Sequence, residues 1–547
     1  MTSESFLQKI YQGRFPGDLF DSFAPFPHLE EAESIVEAYR QLLQKFPPDT
    51  LESLGRLPPE MLREMAKIGL FGLSIPIAYG GLGFNTRESM RVVEGMVRLD
   101  MAAALASLAH LAIGVKGIEL FGDDAQKQRY LIPAASGKMI FSYALTEPRI
   151  GSDAQHIETK AELTPSGTHY LLNGQKTYIT NANYAGALTV FAQMDPARPG
   201  FMGAFIVETG WAGVKIGKDM PKMGLKASST AAIQFRKVNV PAENLLGKPG
   251  DGFKIAMTIL NFGRLALGAA SLGMMRQSLE EMRKRSSSRV QFGVPIRSFP
   301  LIQEKLARAE VNCFTCAAIN DFTASLVQLA PTSNLAAETS HCKLFGTTRA
   351  WDTLYDAFQV AGGSAYLATN PYEKRLRDFR VATVFEGTTE IHSIYPALSA
   401  LRSLSKHFKE MKENNASIIR LFLKSLFTRV EWPPAFSNKA LKRASGLARA
   451  NANSVRRMLL SGLLLHGKEV SEKQFFLRRI TTLSLYLFGL LALLAKLAAD
   501  EKAGRLKEED LLLLQYFLEE AREARKKNRR FFDSRKERLV ANIGNGP

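Results

Sequence analysis

Three short clusters of residues combine side chains that could carry chemistry. The first, residues 143–153, is dense in hydroxyls, turn-forming residues and backbone amides, so it could wrap the polar face of a bound cofactor. The second is Tyr178–Thr180, at the end of a strand-like run. The third, residues 385–390, places Glu386 between an apolar run and a Gly-Thr turn. A carboxylate held there partly out of water becomes more basic and could act as a general base.

Each cluster also has an ordinary structural explanation when taken alone. The first could be a hydrogen-bonded turn, the second a strand and its end, and Glu386 a helix-capping or solvated glutamate. No metal site is expected: Cys313 and Cys316 have CxxC spacing, but on a helix they form an i, i+3 core pair, and structural zinc needs four ligands. With three cysteines, the chain fits a reducing compartment and not a disulfide scaffold.

The composition is that of a folded globular protein with an uneven charge. Of the 547 residues, 46% are hydrophobic and 23% are charged. The 71 Lys and Arg against 53 Asp and Glu give a net charge of +18, which suggests an anionic partner. Residues 401–547 hold 30 Lys and Arg against 15 Asp and Glu, whereas residues 1–400 hold 41 against 38. The last quarter of the chain therefore carries nearly all of the excess positive charge.

The elements that must position the clusters follow a segregated order. Helical periodicity covers residues 29–46, 59–68 and 101–121, and alternating patterns with turns cover residues 140–246. Within the alternating region, Asn173-Gly174 between two strand-like runs predicts a β-hairpin. Helical patterns then return and continue to the end of the sequence. This order predicts an α+β protein by segregation, and no Gly-Lys-Ser/Thr phosphate loop or GxGxxG turn follows a strand.

Taken together, the clusters resemble the acyl-CoA dehydrogenase family, and the resemblance extends over about residues 29–400. The first cluster resembles the family's first flavin signature, and residues 172–180 resemble its second flavin-contacting strand. Residues 377–378 and 385–388 are similar to its C-terminal signature. Further similar segments are Lys222–Gly224, Ala227–Thr230, Val240–Gly247, Arg289–Gly293 and Gln359–Gly363.

The resulting fold prediction has four domains. Residues 1–139 form an N-terminal helical domain and residues 140–247 a central β-barrel-like domain. Residues 248–400 form a C-terminal four-helix bundle, and residues 401–547 an additional, basic helical domain.

The resemblance implies an FAD-dependent α,β-dehydrogenation of a fatty acyl-CoA, with electrons passed to an electron-transfer flavoprotein. Glu386 would be the catalytic base. The substrate contacts would be Ser152, Arg264, Phe385 and Gly387. The FAD contacts would be Tyr143, Leu145, Thr146, Gly151, Ser152, Tyr178, Ile179, Thr180, Arg289, Gln291, Phe292, Gln359, Gly362, Gly363, Thr388 and Glu390. The segment around Arg289 would reach the flavin of a neighbouring subunit, so a homodimer is also implied.

Within the family, the very-long-chain branch fits best, because residues 260–264, residues 301–308 and the helical region after residue 400 resemble it. The product would be the trans-2-enoyl-CoA of fatty acid β-oxidation. Ala102–Ala109 would either leave a deep acyl tunnel or serve close helix packing. The alternatives are an acyl-CoA oxidase that uses oxygen, and a non-catalytic relative acting as an assembly factor or DNA-binding protein.

The C-terminal charge has three interpretations. Residues 417–430 form a basic amphipathic pattern suited to an acidic membrane surface, and residues 522–538 could equally be a solvated helix face. Nucleic-acid binding is the least favoured of the three. The apolar stretch Thr481–Ala499 reaches the lower length limit of a spanning helix, but a buried bundle helix is favoured. Without a leader pattern, we expect a cytoplasmic enzyme, peripheral on the inner membrane, or a mitochondrial one in a eukaryote.

Overall fold

The computed structural model describes residues 5–21, 23, 29–412, 428–544 and 546, without the side chains of residues 407–412 and 541. Residues 417–427 of the basic amphipathic pattern therefore lie outside the described residues.

The helices, in chain order, are α1 (Phe6–Gln12), α2 (Gly17–Asp21), α3 (Glu30–Lys45), α4 (Pro48–Leu54), α5 (Pro59–Lys67), α6 (Thr86–Leu99), α7 (Met101–Ala109), α8 (Lys116–Phe121), α9 (Asp124–Ala135), α10 (Gly252–Ser288), α11 (Pro300–Leu329), α12 (Ala336–Ala361), α13 (Pro371–Arg380), α14 (Thr389–Lys412), α15 (Lys439–His466), α16 (Gln474–Lys502), α17 (Glu508–Asn528) and α18 (Arg535–Gly544). The strands are β1 (Ile140–Ala144), β2 (Lys160–Leu163), β3 (His169–Thr180), β4 (Ala185–Gln193), β5 (Met202–Glu208), β6 (Val214–Ile216), β7 (Thr230–Pro241), β8 (Leu245–Gly250), β9 (Val290–Gln291) and β10 (Val294–Pro295). The predicted α+β class is confirmed.

The backbone contacts group the chain into two compact units. The sheet unit comprises His28–Ile302 and Ala350–Gly387, and the C-terminal unit comprises Met1–Pro27, Gln303–Arg349 and Thr388–Pro547. The segment after residue 400 thus groups with both α1 and α11. The division into four domains remains a prediction.

The helices of the sheet unit include a π-helical turn. After α7, residues His110–Gly114 form this turn before α8 begins. The buried His110 ring anchors the turn: Nε2 donates to the Phe71 carbonyl (3.1 Å) and Nδ1 accepts from the Phe141 N–H (2.9 Å). Burial lowers the pKa of His110 to about 3, so the ring is neutral. The π-helical turn is thereby held against β1.

The sheet is mixed and open. Its strand order is β6-β7-β3-β2-β4-β5-β8, and β1 pairs with β4 in parallel. A cluster of buried residues that includes Leu172, Leu188, Phe205 and Ile233 forms its core. The prediction of a barrel-like domain is wrong for the described strands, because the two end strands, β6 and β8, do not pair with each other. Both end strands also pair weakly: β6 is only three residues long, and β8 pairs with β5 over two residues.

The predicted hairpin at Asn173-Gly174 is also wrong. Both residues lie inside the single strand β3, at a shift in its register with β7. Gly174 has a φ of 150°, and a Cβ there would lie 2.4 Å from Thr159 Oγ1. The Asn173 side chain accepts a hydrogen bond from Lys237 N (2.8 Å). The Asn-Gly pair therefore makes a bulge in a continuous strand, and its glycine permits the close approach of Thr159.

The C-terminal unit buries α1 among its other helices. α1 packs against α14 and α15, and Phe6, Leu7 and Ile10 are fully buried. The Leu7 N–H donates to the buried Glu338 carboxylate (2.9 Å), and the hydroxyls of Tyr11 and Ser484 are hydrogen-bonded.

Three of the described helical stretches are long and apolar enough to cross a membrane by length and composition. They are Met101–Phe121, Gly252–Ser288 and Gln474–Lys502. Their most apolar windows are 83%, 89% and 78% buried inside the protein, so each apolar face already has a packing partner. This burial supports the interpretation of Thr481–Ala499 as a bundle helix.

Candidate active site

Glu386 lies in a tight turn with an unusual backbone conformation. The N–H groups of Val384 and Phe385 both donate to the Val381 carbonyl, at 2.8 and 3.0 Å. The chain then reverses through Glu386 and Gly387, whose φ angles are 56° and 98°. A non-glycine residue in this region costs about 1 kcal/mol, and such strain concentrates at functional sites.

The Glu386 carboxylate lies against a glycine of α10. A Cβ built on Gly263 would be 2.9 Å from Glu386 Oε2 and 3.0 Å from both Glu386 Cδ and Ile113 Cγ2. Ile113 belongs to the π-helical turn. The absence of a side chain at Gly263 therefore leaves the space that the carboxylate occupies.

Tyr143 and Arg264 are electrostatically coupled to this carboxylate. Burial raises the pKa of Tyr143 well above its ordinary value; the negative charge of Glu386 raises it further, and Arg264 opposes both. The Tyr143 hydroxyl donates to the Ala256 carbonyl (3.3 Å). Arg264 is buried and donates to Asn261 Oδ1 (3.3 Å). A carboxylate, a neutral phenol and a buried cation thus share one region of the sheet unit.

A buried ion pair joins the first cluster to β3, the strand that ends in the second cluster. Lys176 Nζ lies 2.8 Å from Glu147 Oε1 and donates to the Leu145 carbonyl (2.9 Å). Burial lowers the pKa of Lys176 to about 8, although Glu147 opposes the shift. The Glu147 carboxylate also accepts from the N–H groups of Glu158 (2.5 Å) and Thr159 (2.9 Å). Glu147 is therefore a structural centre of the first cluster, a role that the sequence motif did not reveal.

A backbone hydrogen bond from Thr177 N to the Thr146 carbonyl (2.9 Å) also joins the first cluster to β3, just before the second cluster. Beside it, Tyr178 has a φ of 58° and is 67% exposed, and Thr180 is half-buried. Gly151 and Ser152 are exposed, whereas the side chains of Leu145 and Ile179 are buried. The joined clusters thus display an aromatic ring and several hydroxyls.

Other predicted site residues lie elsewhere. Arg289, Gln291 and Phe292 form an exposed hairpin, and Phe292 is 94% exposed with a φ of 53°. Gln359 is exposed near the end of α12, and Gly362 and Gly363 open the 3₁₀ turn that follows. Thr388 and Glu390 belong to the C-terminal unit. The Thr388 hydroxyl accepts from Ile391 N (3.3 Å), and Glu390 is exposed in the first turn of α14.

The segment Arg377-Asp378 is part of a packed polar network. Asp378 accepts from Leu225 N (2.5 Å), and Lys374 bridges Asp378 (2.6 Å) and Asp100 (2.8 Å). Burial opposes the charge on Lys374, but the two carboxylates outweigh it and raise its pKa. A Cβ on Gly224 would lie 2.3 Å from the Arg377 carbonyl carbon. This segment therefore fixes the loop 222–228 against α13.

Comparison with known proteins identifies the class. Models of the acyl-CoA dehydrogenase N-terminal, middle and C-terminal domains match residues 29–138, 142–238 and 250–395. The mitochondrial very long-chain specific acyl-CoA dehydrogenase of Macaca fascicularis is 32% identical over 92% of this chain and 80% of its own length. The Homo sapiens enzyme is 32% identical over 90% and 79%. The structure of a Bacillus anthracis acyl-CoA dehydrogenase complexed with FAD covers 96% of this chain and 92% of its own, with a TM-score of 0.81 and 28% identity.

The chain belongs to the acyl-CoA dehydrogenase family. It is an FAD-dependent acyl-CoA dehydrogenase, as the sequence motifs predicted.

The described residues fit FAD. The backbone at Gly362 and Gly363 is open, because a Cβ on either would meet no atom within 4 Å, and Gly362 has a φ of 70°. A phosphate or sugar can therefore approach that backbone closely. The exposed Tyr178 ring offers a flat apolar partner for an isoalloxazine, and the hydroxyls of Thr146, Ser152 and Thr180 are suitable donors to its polar edge.

Proposed function

We propose that this enzyme converts long-chain fatty acyl-CoA to trans-2-enoyl-CoA in fatty acid β-oxidation, with Glu386 as the base. The single observation that carries the assignment is the Glu386 carboxylate, held by a strained turn in the space that Gly263 leaves on α10. The very long-chain specific relatives, which match most of the chain, support the substrate class.

The chain's own residues must make a weakly acidic α-proton transferable. Glu386 accepts the pro-R α-proton on its carboxylate. We assign its backbone N–H to the thioester carbonyl oxygen, where negative charge develops, and one such donor is worth about 3–4 kcal/mol. The buried cation of Arg264 and the neutral phenol of Tyr143 set the electrostatic environment of the carboxylate.

We assign the cofactor contacts to the joined clusters and to three other segments. Tyr143, Leu145, Thr146, Gly151, Ser152 and Tyr178–Thr180 would hold the flavin end, and Gln359, Gly362 and Gly363 the adenosine end. Bound FAD supplies the acceptor for the β-hydrogen, which leaves as hydride. Ser152, Arg264, Phe385 and Gly387 remain the proposed substrate contacts, and Arg289, Gln291, Phe292, Thr388 and Glu390 the remaining proposed cofactor contacts.

The test is the visible spectrum of the purified protein during anaerobic titration with palmitoyl-CoA. We expect a flavin spectrum that bleaches in the wild type and stays unbleached in Glu386→Gln, which keeps the shape but removes the base. The matched control is Glu162→Gln on the exposed face of β2, which should bleach like the wild type. Absence of flavin after reconstitution, or full bleaching of Glu386→Gln, would overturn the assignment.

Chain length is tested separately. Ala102–Ala109 is largely buried, which is compatible with an acyl tunnel and with close helix packing. We expect kcat/KM across C4 to C20 acyl-CoAs to peak at long chains. A maximum at C4–C6 would contradict the long-chain proposal and leave the dehydrogenase assignment intact.

The electron acceptor and the assembly are further proposals. We propose an electron-transfer flavoprotein as acceptor; rapid peroxide formation under air would instead identify an oxidase. We propose a homodimer, supported by the fully exposed Phe292 on the β9–β10 hairpin, and expect Phe292→Ser to shift the sedimentation coefficient toward that of a monomer. The excess C-terminal charge supports a peripheral location on an acidic inner-membrane surface.

A further inference from the structure

The C-terminal unit contains a cavity lined mainly by cationic side chains. These side chains are more than 100 residues after Glu386 in the sequence. The cavity lies at the end of α17, has a volume of about 610 Å³, and is lined by Glu523, Lys526, Lys527, Arg529 and Arg530. The four cationic side chains are exposed. The sequence alone showed only a mixed run of charges: residues 522–538 contain nine Lys and Arg against three Asp and Glu.

The structure shows where two of these three carboxylates are engaged. Asp533 and Glu537 both bind the buried guanidinium of Arg479 on α16, at 3.0 and 2.7 Å. Arg479 Nε also donates to the Arg530 carbonyl (3.1 Å), which fixes the turn after α17. These carboxylates are therefore committed to an internal cation. Within the described part of the chain, no carboxylate forms an ion pair with the four cavity cations.

A fifth cation, Arg525, precedes the cavity cations on α17, and its hydrogen-bond partners among the described residues are neutral. Arg525 donates to the Ala450 carbonyl (2.8 Å), to Asn451 Oδ1 (3.2 Å) and to Ser454 Oγ (2.7 Å), all on α15. Burial lowers its pKa, and the positive charges of Arg529 and Arg457 lower it further. The cavity therefore gathers four cations against the single carboxylate of Glu523, so a bound anion would relieve the repulsion among the cations.

We propose that this cavity is a binding site for a compact polyanion bearing phosphate groups. Several cations lie around one concavity, and linked phosphates carry closely spaced negative charges. A polyphosphate therefore matches this arrangement better than a single carboxylate does, because each phosphate oxygen can accept a charge-assisted hydrogen bond. The ligand could be a free polyphosphate or a phosphate headgroup in a lipid surface. The inference depends on neither the dehydrogenase reaction nor the proposed membrane location.

The experiment measures binding of inorganic triphosphate to the full-length enzyme by isothermal titration calorimetry at fixed ionic strength. The test variant is Lys526→Gln/Arg529→Gln. The matched control is Lys439→Gln/Lys442→Gln, which removes two exposed positive charges from the start of α15. We expect saturable binding that weakens about tenfold or more in the test variant and is unchanged in the control. Thermal midpoints without ligand should be similar in all three proteins.

A second arm separates the two sources of phosphate. Full-length protein is sedimented with phosphatidylglycerol vesicles, with and without triphosphate. Vesicle binding that triphosphate displaces, and that only the test variant loses, supports the site and identifies a headgroup. Triphosphate binding without vesicle binding supports the site and identifies a free ligand. Triphosphate binding no stronger than that of sulfate, or equally weakened in both variants, overturns the proposal and leaves an ordinary solvated helix face.

Discussion

Glu386 and Gly263 show what one residue can and cannot reveal in a sequence. Glu386 could be singled out because a carboxylate between apolar residues and a Gly-Thr turn is a local pattern. Gly263 could not be singled out, because a glycine within a helical pattern does not indicate which distant side chain packs against it. The left-handed backbone of Glu386 was equally hidden, because residues other than glycine rarely adopt this conformation and no local pattern marks it.

We predict that Gly263→Ala lowers kcat/KM about 10- to 100-fold. The new methyl carbon would lie 2.9 Å from Glu386 Oε2, which is too close, so the carboxylate would have to move. Flavin content should stay at the wild-type level. The thermal midpoint should change by only a few degrees, because the gain of up to about 1 kcal/mol from alanine in a helix is opposed by crowding against Ile113. Steady-state kinetics with palmitoyl-CoA and a thermal scan check both effects.

The control is Gly446→Ala on α15, where a Cβ meets no atom within 4 Å. It should raise the thermal midpoint without changing kcat/KM. If Gly263→Ala shows wild-type kinetics, the position of the Glu386 carboxylate does not depend on the absence of a side chain at residue 263.

At the scale of elements, the alternation in residues 140–246 predicted strands correctly but not their connections. Asn-Gly favours a tight turn in isolation, yet here the strand continues because its two halves face the same partner, β7. The bulge brings Gly174 against Thr159, whose N–H binds Glu147. Pairing across the sheet decided between turn and bulge, and a local pattern does not contain that information.

We predict that Lys176→Met destabilises the enzyme by about 3–5 kcal/mol, because it leaves the Glu147 carboxylate buried without its cation. The first cluster loses part of its attachment to β3, so FAD should also dissociate more readily. Urea unfolding and the flavin-to-protein absorbance ratio after gel filtration measure the two effects.

Two further variants test the cause. Lys160→Met removes an exposed lysine from neighbouring β2 and should change stability little. Lys176→Met/Glu147→Gln removes both charges, keeps an acceptor oxygen for one of the two amides, and should recover part of the loss. No recovery would indicate that lost packing around Lys176 dominates.

At the scale of the whole molecule, composition and element order predicted the α+β class but not the two units. α1 lies outside the matched family segments, and no sequence motif assigned it a role. It is nevertheless buried in the C-terminal unit, where its partners include Glu338 and Ser484. Contacts between positions so far apart in the chain produce no periodic pattern in the sequence, so the sequence did not predict them. One practical result is that a truncation near residue 405 would remove packing partners of α1 and is a poor test of the charged region.

We predict that acid destabilises both units through buried neutral histidines, His110 in the sheet unit and His341 in the C-terminal unit. Burial lowers the pKa of both His110 and His341 to about 3. A histidine in the unfolded chain has a pKa of about 6.5, so below that pH it binds a proton that the buried ring in the folded chain does not bind. The stability contributed by each ring is therefore fully present above pH 6.5 and is lost as the pH falls toward 3, by about 1.4 kcal/mol per pH unit.

Urea unfolding midpoints at pH 7.5 and 5.0 test this linkage. His110→Asn and His341→Asn should each be less stable at pH 7.5 but lose less on going to pH 5.0 than the wild type. An unaltered pH dependence in both buried-site variants would contradict the prediction.

The burial of α1 also sets an order of events during synthesis. Tyr11 and its hydrogen-bonding partner Ser484 are 473 positions apart in the sequence, so Tyr11 emerges from the ribosome long before Ser484. At about 5–20 residues per second, α1 waits roughly 25–95 s with its apolar face unburied. The C-terminal unit can close only after nearly the whole chain has been made. The sheet unit, whose main segment ends at Ile302, can begin folding much earlier, so the nascent chain carries an exposed apolar helix beside a folding domain for most of its translation.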